Sequence, residues 1–493
     1  MTKLKSVARR SALLLGTAGA TLAIAGQAHA AAFYIQEQST KAVGRAFSGE
    51  VSEQGASQMW WNPASIGGIG GFEGYQGITA IIPRADATNV NSRVIRPGFP
   101  LSAVPGLPPL PGGLAYPAIA ASNDPVGGAQ NAHNMVNKGY LPNGGFALPL
   151  GEHFDFGFTV TSPYSFTTNY DSNSWARYSA DKSRLRTFDF QPVLAFHTGG
   201  LSIGAGPNVE YVRATLSNYL PDPLSNVQQS LTTGLGPVLG PVLGPVIGGP
   251  LSAALNTGDG HQYLKGSGWD VGYSFGFQYH NDQVDLGVSY KSAIKHKLKG
   301  HLIVDGLGGI LATQGANQRV DGANAQFTTP WQVNFGGRYH VTPQFTVNGQ
   351  ITRFGWEKFD AIRLSNLGSN PDQAVPENYR NTFSYALGFD YKLSPKLTWR
   401  GGVQRDLSPV TTGNRDPRIP DGNRWNFATG GSYAVNSHMS LDASASYDKI
   451  KSEKIDKTLA AYVGTPLQTF ITNDGLLHNA SALVFSLGGN VSF

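Results

Sequence analysis

Cysteine is absent from this chain, which rules out disulfides and thiolate metal sites; an oxidising compartment is compatible with that but not required by it. Charge is scarce too, with 14% of the 493 residues being Asp, Glu, Lys or Arg. Beyond the N-terminal region no run of eighteen uninterrupted apolar residues occurs, and that excludes transmembrane helices. The basic excess is local. Of 37 Lys and Arg against 32 Asp and Glu, four basic residues and no acidic one fall in 1–30, leaving 33 against 32 in the remainder. A nucleic-acid partner is therefore discounted. What the chain does have is glycine, 62 residues, and an aromatic content of 11%.

The N-terminus carries an address. Lys3, Lys5, Arg9 and Arg10 precede an apolar run from Ala12 to Ala25, and Ala28-His29-Ala30 supplies a small-x-small cleavage pattern. Residues 1–30 read as a signal peptide removed near Ala30. The other end alternates. Leu483, Phe485, Leu487, Gly489, Val491 and Phe493 share one parity, and Ala482, Val484, Ser486, Gly488, Asn490 and Ser492 the other. A period of two puts these sets on opposite faces of a strand, and an apolar, aromatic-ended outer face suits a transmembrane barrel. A terminal Phe in mid-strand resembles the signal by which the barrel-assembly machinery recognises outer-membrane proteins of Gram-negative bacteria.

The same alternation recurs between turn signals, as in Trp269, Val271, Tyr273, Phe275, Phe277 and Tyr279 before Asn281-Asp282. Fourteen strands are predicted near 72–84, 143–150, 153–168, 184–198, 200–216, 262–280, 283–300, 325–341, 344–364, 379–393, 396–408, 422–436, 438–451 and 480–493. Connections alternate between tight turns and long loops, chiefly 85–142 and 217–261, as in a barrel with short periplasmic turns. The expected fold is all-β: a 14-stranded antiparallel transmembrane β-barrel (72–493) with an N-terminal helical hatch, or plug, in the lumen (31–71). Helical stretches are predicted around Gln36–Ala46 and Ser52–Met59. Two loops are unusually apolar, 96–121 (rich in Pro and Leu) and 236–250 (GPVLGPVLGPVIGGP). Each suits a ligand-collecting surface and equally a cap of loops packed on one another.

No H-E-x-x-H, G-x-S-x-G or ligand-spaced carboxylate cluster occurs, and the eleven His are scattered. His280 falls on an inner-facing parity without a spaced serine partner. The sequence thus predicts no enzyme, no catalytic residue, no metal and no cofactor, with an outer-membrane phospholipase the remote alternative. A general diffusion porin is the nearer alternative, disfavoured by the forty-residue plug and the low charge of the inner faces. Prolines mark a weak place in the wall. Pro163 (TVTSPYSF) and Pro192 (FDFQPVLAF) fall in the third and fourth strands, where neither donates to a ladder, and a lateral opening is expected near them.

The chain resembles the FadL family of long-chain fatty-acid and hydrophobic-compound transporters (the OmpP/FadL/TodX superfamily). The resemblance rests on the AAF start at 31–33, GRAFSGE at Gly44–Glu50, Asn62-Pro63-Ala64, RDPRIPDGNRW at Arg415–Trp425 and the closing strands. It implies passive uptake of a long-chain fatty acid or similar hydrophobic molecule, released through a hatch-gated side opening beside a kink in the third strand. It also implies a gating role for Asn62, Pro63 and Ala64, and basic residues for the substrate carboxylate at Arg213 and Arg363. By parity from Leu201, however, Arg213 points outward unless a bulge intervenes, as a rim residue touching lipopolysaccharide would. The implied setting is the outer membrane, with membrane lipids and lipopolysaccharide as neighbours and a monomeric protein.

Overall fold

The computed structural model describes residues 32–110, 115–227, 230–231, 250–368 and 370–493. The signal peptide and the repeat at 236–249 lie outside them.

Fourteen antiparallel wall strands close into a barrel. They are β1 (Glu73–Asn89), β2 (Gly139–Pro149), β3 (Phe154–Thr161 and Ser165–Asn169), β4 (Lys182–Thr198), β5 (Leu201–Leu220), β6 (Gly260–His280) and β7 (Val284–Lys291 and Ile294–Asp305). They continue with β8 (Gln318–Thr329 and Trp331–His340), β9 (Phe345–Gly355 and Ala361–Ser365), β10 (Gln373–Pro376 and Thr382–Lys392), β11 (Leu397–Asp406), β12 (Arg424–Asn436), β13 (Met439–Ile450) and β14 (Gly475–Ser492). β14 pairs with β1, Leu487 facing Ile78 and Phe485 facing Ala80, so the sheet has no edge. Each strand matches one predicted from the sequence. Most run further at their outer ends, where polar residues extend the ladders beyond the alternating stretch that betrays lipid contact.

Alternation sorts the faces as period two demands. On β6, Trp269, Val271, Tyr273 and Phe275 are exposed, whereas Ser274 and Gln278 are buried. At the periplasmic seam the Phe493 N–H donates to the Phe72 carbonyl at 2.9 Å. At the other end the long loops pack on one another. Phe99, Leu101 and Val104 join Leu224, Leu251, Leu307 and Ile310 in one buried apolar cluster.

Residues 32–66 run inside the barrel, nearly all buried. The expected helices shrink to a five-residue turn, α1 (Thr40–Gly44), and 3₁₀ turns at Ala56–Gln58 and Pro63–Ile66. The Ser39 side chain caps α1, accepting from the Ala42 N–H at 3.3 Å. Ala46 (φ 51°) and Phe47 (φ 63°) then enter the left-handed region and end it. Such a conformation persists where the surroundings hold it, and the wall does so by offering bare backbone. A Cβ on Gly402 would lie 2.1 Å from the Arg45 carbonyl oxygen. On Gly204 it would lie 2.3 Å from the Pro63 carbonyl carbon, and on Gly276 1.7 Å from Asn62 Oδ1. Inward glycines of the wall are recesses in which this leading segment sits.

Candidate functional site

The wall is irregular at β3. On the β4 side, β3 spends three residues (Ser162, Pro163, Tyr164) between the pairs Thr161–Asp189 and Ser165–Arg186, where β4 spends two. This is a bulge, and Pro163 sits at its centre. On the β2 side the ladder parts altogether. Among the described residues no pair joins the two strands between Gly144–Val160 and the bridge Val136–Thr168. β2 stays on β1 through this stretch, Leu141 facing Thr79, so it is β3 that bends away.

The leading segment occupies the bend. The Ile35 N–H donates to the Pro163 carbonyl at 2.8 Å, and the Ser165 N–H to the Phe33 carbonyl at 2.9 Å, with Tyr34 bridged to Tyr164 between them. Gln38 donates from Nε2 to the Ser162 carbonyl (2.9 Å) and accepts at Oε1 from the Ser162 N–H (3.1 Å). The Thr187 hydroxyl of β4 accepts from the Tyr164 N–H at 3.0 Å. The polar groups that the bulge frees are thus satisfied from inside the barrel, as a low-dielectric wall requires. Tyr34 packs on Phe354 with centroids 5.0 Å apart, and Phe33 on Phe359 at 5.0 Å.

Above the bend lies an apolar slot lined by Phe33, Phe166, Leu185, Leu216, Leu264, Leu298, Phe327, Phe359 and Ile419. Its charged rim is Glu377, Asp416 and Arg418. The Nε atom of Arg418 has no hydrogen-bond partner. Arg418 Nη1 lies 3.4 Å from Asp416, and Lys457 Nζ 2.8 Å from Glu377. Burial, opposed by Lys457, pushes the Glu377 carboxyl up to about 7. Behind the bend is a polar cleft. Asp189, Glu210 and Asp270 stand in register on three successive strands. Lys291 Nζ lies 3.5 Å from the Trp60 ring centroid there.

GRAFSGE holds the leading segment to the opposite wall by charge. Arg45 Nε donates to Glu50 at 3.0 Å and Nη1 to Asp390 at 3.1 Å, while Nη2 also binds Glu53. Arg338 and Arg400 approach Asp390 at 3.4 Å and 3.0 Å. Every ionised group in this buried knot meets an opposite one, without which burial would be prohibitive. Nearer the bend, burial first and then the charge of Asp448 push the Glu37 carboxyl up to about 8.

The sequence-derived candidates fall in different places. Asn62 caps the 3₁₀ turn, its Oδ1 accepting from the Ala64 N–H at 2.9 Å and its Nδ2 donating to the carbonyls of Val51 (2.7 Å) and Phe277 (3.1 Å). Asn62, Pro63 and Ala64 therefore rest on β5 and β6, not on the bend. Pro163 is at the bend, but Pro192 is not. Its place in the β4–β3 ladder, opposite Phe158, is continuous, and the ladder it interrupts is β4–β5, between Phe190–Val209 and Leu194–Ala205. The reason is direction: the missing N–H of Pro192 pointed toward β5.

Arg213 and Arg363 do not reach the lumen. β5 runs unbroken from Leu201 to Leu220, so no bulge turns Arg213 inward, and it stands exposed opposite Arg186 and Ser267. Arg363 is outward on β9, its side chain 49% exposed, with Nη1 donating to Asp360 at 3.0 Å. The basic residue beside the slot is Arg418; Arg184 shares the outward parity of Arg186 on β4, opposite Thr215 and near Arg213. Arg418 lies within the RDPRIPDGNRW run, yet only the fold of that loop over the lumen singles it out.

A closed fourteen-stranded barrel with lipid-facing aromatics outside and its own leading segment inside defines an outer-membrane transport protein. A family profile described as "Outer membrane protein transport protein (OMPP1/FadL/TodX)" matches residues 21–493, and the chain belongs to that family. It is 27% identical over 456 residues to the "Long-chain fatty acid transport protein" of Escherichia coli O6:H1, covering 90% of this chain and 91% of that one. It is 24% identical over 484 residues to "Outer membrane protein P1" of Haemophilus influenzae, covering 97% and 98%. In fold it resembles a Pseudomonas aeruginosa FadL homologue (TM-score 0.72, 21% identity, 94% and 100% covered). It also resembles the P. putida toluene transporter TodX (TM-score 0.58, 16% identity, 91% and 97% covered). These relatives are transport proteins, not enzymes.

Proposed function

We propose that this protein takes up long-chain fatty acids or similar hydrophobic molecules by passive diffusion through its own wall. Cargo enters the apolar slot and leaves sideways into the membrane where β2 and β3 part. The parted ladder, covered from inside by residues 33–38, carries this reading. The slot is almost purely hydrocarbon, and each methylene moved out of water gains roughly 0.8 kcal/mol. Release then requires the leading segment to shift, because Phe33 lines the slot and hydrogen-bonds the bend at once. Asn62, Pro63 and Ala64 act in this reading as the fixed foot about which residues 33–38 move. A fatty-acid carboxylate meets Arg418, whose unpartnered Nε atom is free to donate.

The absence of cysteine makes the test clean. Flanking hydrogen bonds at Ile35–Pro163 and Ser165–Phe33 define Tyr34–Tyr164 as a non-hydrogen-bonded antiparallel pair, with Cα atoms about 4.5 Å apart. That spacing suits a disulfide. The Tyr34→Cys/Tyr164→Cys variant, oxidised, loses oleate uptake into a deletion strain and regains it with reductant. Equal uptake in both redox states would sink the proposal. Parallel uptake of toluene and an alkane identifies the cargo.

A further inference from the structure

The outward arginine that fails as a substrate clamp belongs to a larger feature. Arg186 and Arg213 are directly paired across β4 and β5, and Arg213 is in register with Ser267 of β6, which faces Lys299 of β7. Lys265 lies one outward step further up β6, and Lys297 and Lys295 continue along β7, all three lysines of β7 exposed. Because residues directly opposite share a face, these six cations occupy one side of four adjacent strands. Among the described residues none of the six makes an ion pair, and the Arg186 Nε has no hydrogen-bond partner. The neighbours on the same face are Ser267, Thr215, Gln326, Asn324 and Thr328, without an acid. The outer-face acids Asp305 and Asp321 lie nearer the loops, beside His261 (3.9 Å) and Arg319 (2.9 Å).

Height fixes what meets this patch. Two residues toward the membrane from Arg213, the same face carries Tyr211 and Trp269, ring centroids 5.0 Å apart, with Phe190 a step deeper and 5.7 Å from Trp269, which is 60% exposed. That is an interfacial aromatic belt on the long-loop side. A strand rises about 3.3 Å per residue, so Arg186, Arg213 and Lys299 stand about 7 Å beyond the belt, at the level of lipid headgroups, with Lys265 further out and Lys297 level with Trp269. Like charges placed directly opposite repel, and an Arg–Arg pair with no acid nearby is stabilised by an anion from outside.

We infer that the outer face of β4–β7 is a binding site for the phosphorylated headgroup of an outer-leaflet lipid, the phosphate-bearing glycolipid part of lipopolysaccharide. Arg186 and Arg213 supply planar forks for one phosphate, and Lys265 and Lys299 supply point charges for a second. Each cation near an anionic lipid surface contributes about fivefold in affinity.

The test uses the purified full-length protein in detergent, with bis-phosphorylated lipid A, its dephosphorylated form and inorganic phosphate as probes. The wild type retains bis-phosphorylated lipid A, and the retention falls as salt is raised. The Arg186→Gln/Arg213→Gln/Lys299→Gln variant binds it at least tenfold more weakly, and the dephosphorylated lipid binds wild type as poorly. Arg353→Gln/Arg405→Gln, removing outward cations that stack on Phe383 and Trp425 elsewhere on the barrel, leaves retention unchanged. Equal binding by the triple variant, or by dephosphorylated lipid A, overturns the assignment. So does inorganic phosphate binding as tightly as the lipid. Heat-modifiable gel mobility establishes that the variants are folded, and the wild-type salt dependence and dephosphorylated-lipid arm decide the matter even if the triple variant is not.

Discussion

Arg45 shows what a single side chain does in this lumen. It ties Glu50, Glu53 and Asp390 together at full burial, so Arg45→Met leaves the buried Glu50 without its ion-pair partner and Glu53 and Asp390 to Arg338 and Arg400. Removing one partner of a buried charge network costs about 3–5 kcal/mol. The expected result is a lower thermal unfolding midpoint in detergent together with protease access to residues 32–71. Glu37 predicts pH dependence. Its carboxyl ordinarily titrates near 4.5 and is pushed up to about 8 where it is buried. A raised value means that the seated segment favours the proton. The associated stability is full below pH 4.5, declines as pH rises, and is gone above about 8. Protease protection of the leading segment therefore weakens between those limits, and Glu37→Gln flattens the profile. At the slot, Arg418→Gln weakens a fatty acid by about 1.5–3 kcal/mol, the worth of a hydrogen bond to a charged group, and leaves an alkane unaffected. Uptake competition between the two ligands measures it.

Among elements, β3 departs furthest from regularity. It carries one residue more than β4 across the bulge, so deleting Pro163 brings the two strands back into count. The variant is expected to fold, close the gap to β2 and lose uptake; undiminished uptake would place the exit elsewhere. The other strands show what period two reveals. Lipid-facing positions of β6, β8 and β14 alternate because one face meets hydrocarbon, and all fourteen were readable from that pattern. The inner ends of the same rule failed for substrate residues. The resemblance implies a substrate role for Arg213 that requires a bulge against its parity, and the unbroken β5 keeps it outward. Pro192 misled because a proline in a sequence does not say toward which neighbour its missing N–H pointed. The leading helices were overestimated since Gly44, Gly49 and the left-handed Ala46 and Phe47 are set by contacts with a wall hundreds of residues away.

As a whole, the molecule is a closed barrel whose interior holds residues 32–66. Planar-bilayer recordings of the intact protein should show little steady current, and removal of residues 32–71 should open an ohmic path. A large current from the intact chain would favour a porin. The alternation of tight turns and long loops, visible in the sequence, is present in the fold. Of loops 96–121 and 236–250, the described part of the first is packed into an apolar cap, Phe99 and Leu101 being buried with Leu224 and Leu251.

The glycine recesses of the wall make the inner thread and the staves around it a mould and its casting. Leader and barrel are not interchangeable parts among relatives: a foreign thread with its bulk shifted by one residue would meet backbone where this one finds hollows, and a side chain grown at Gly204, Gly276 or Gly402 would expel the native one. Engineering of the pore must therefore alter both partners together, or accept a barrel that no longer closes.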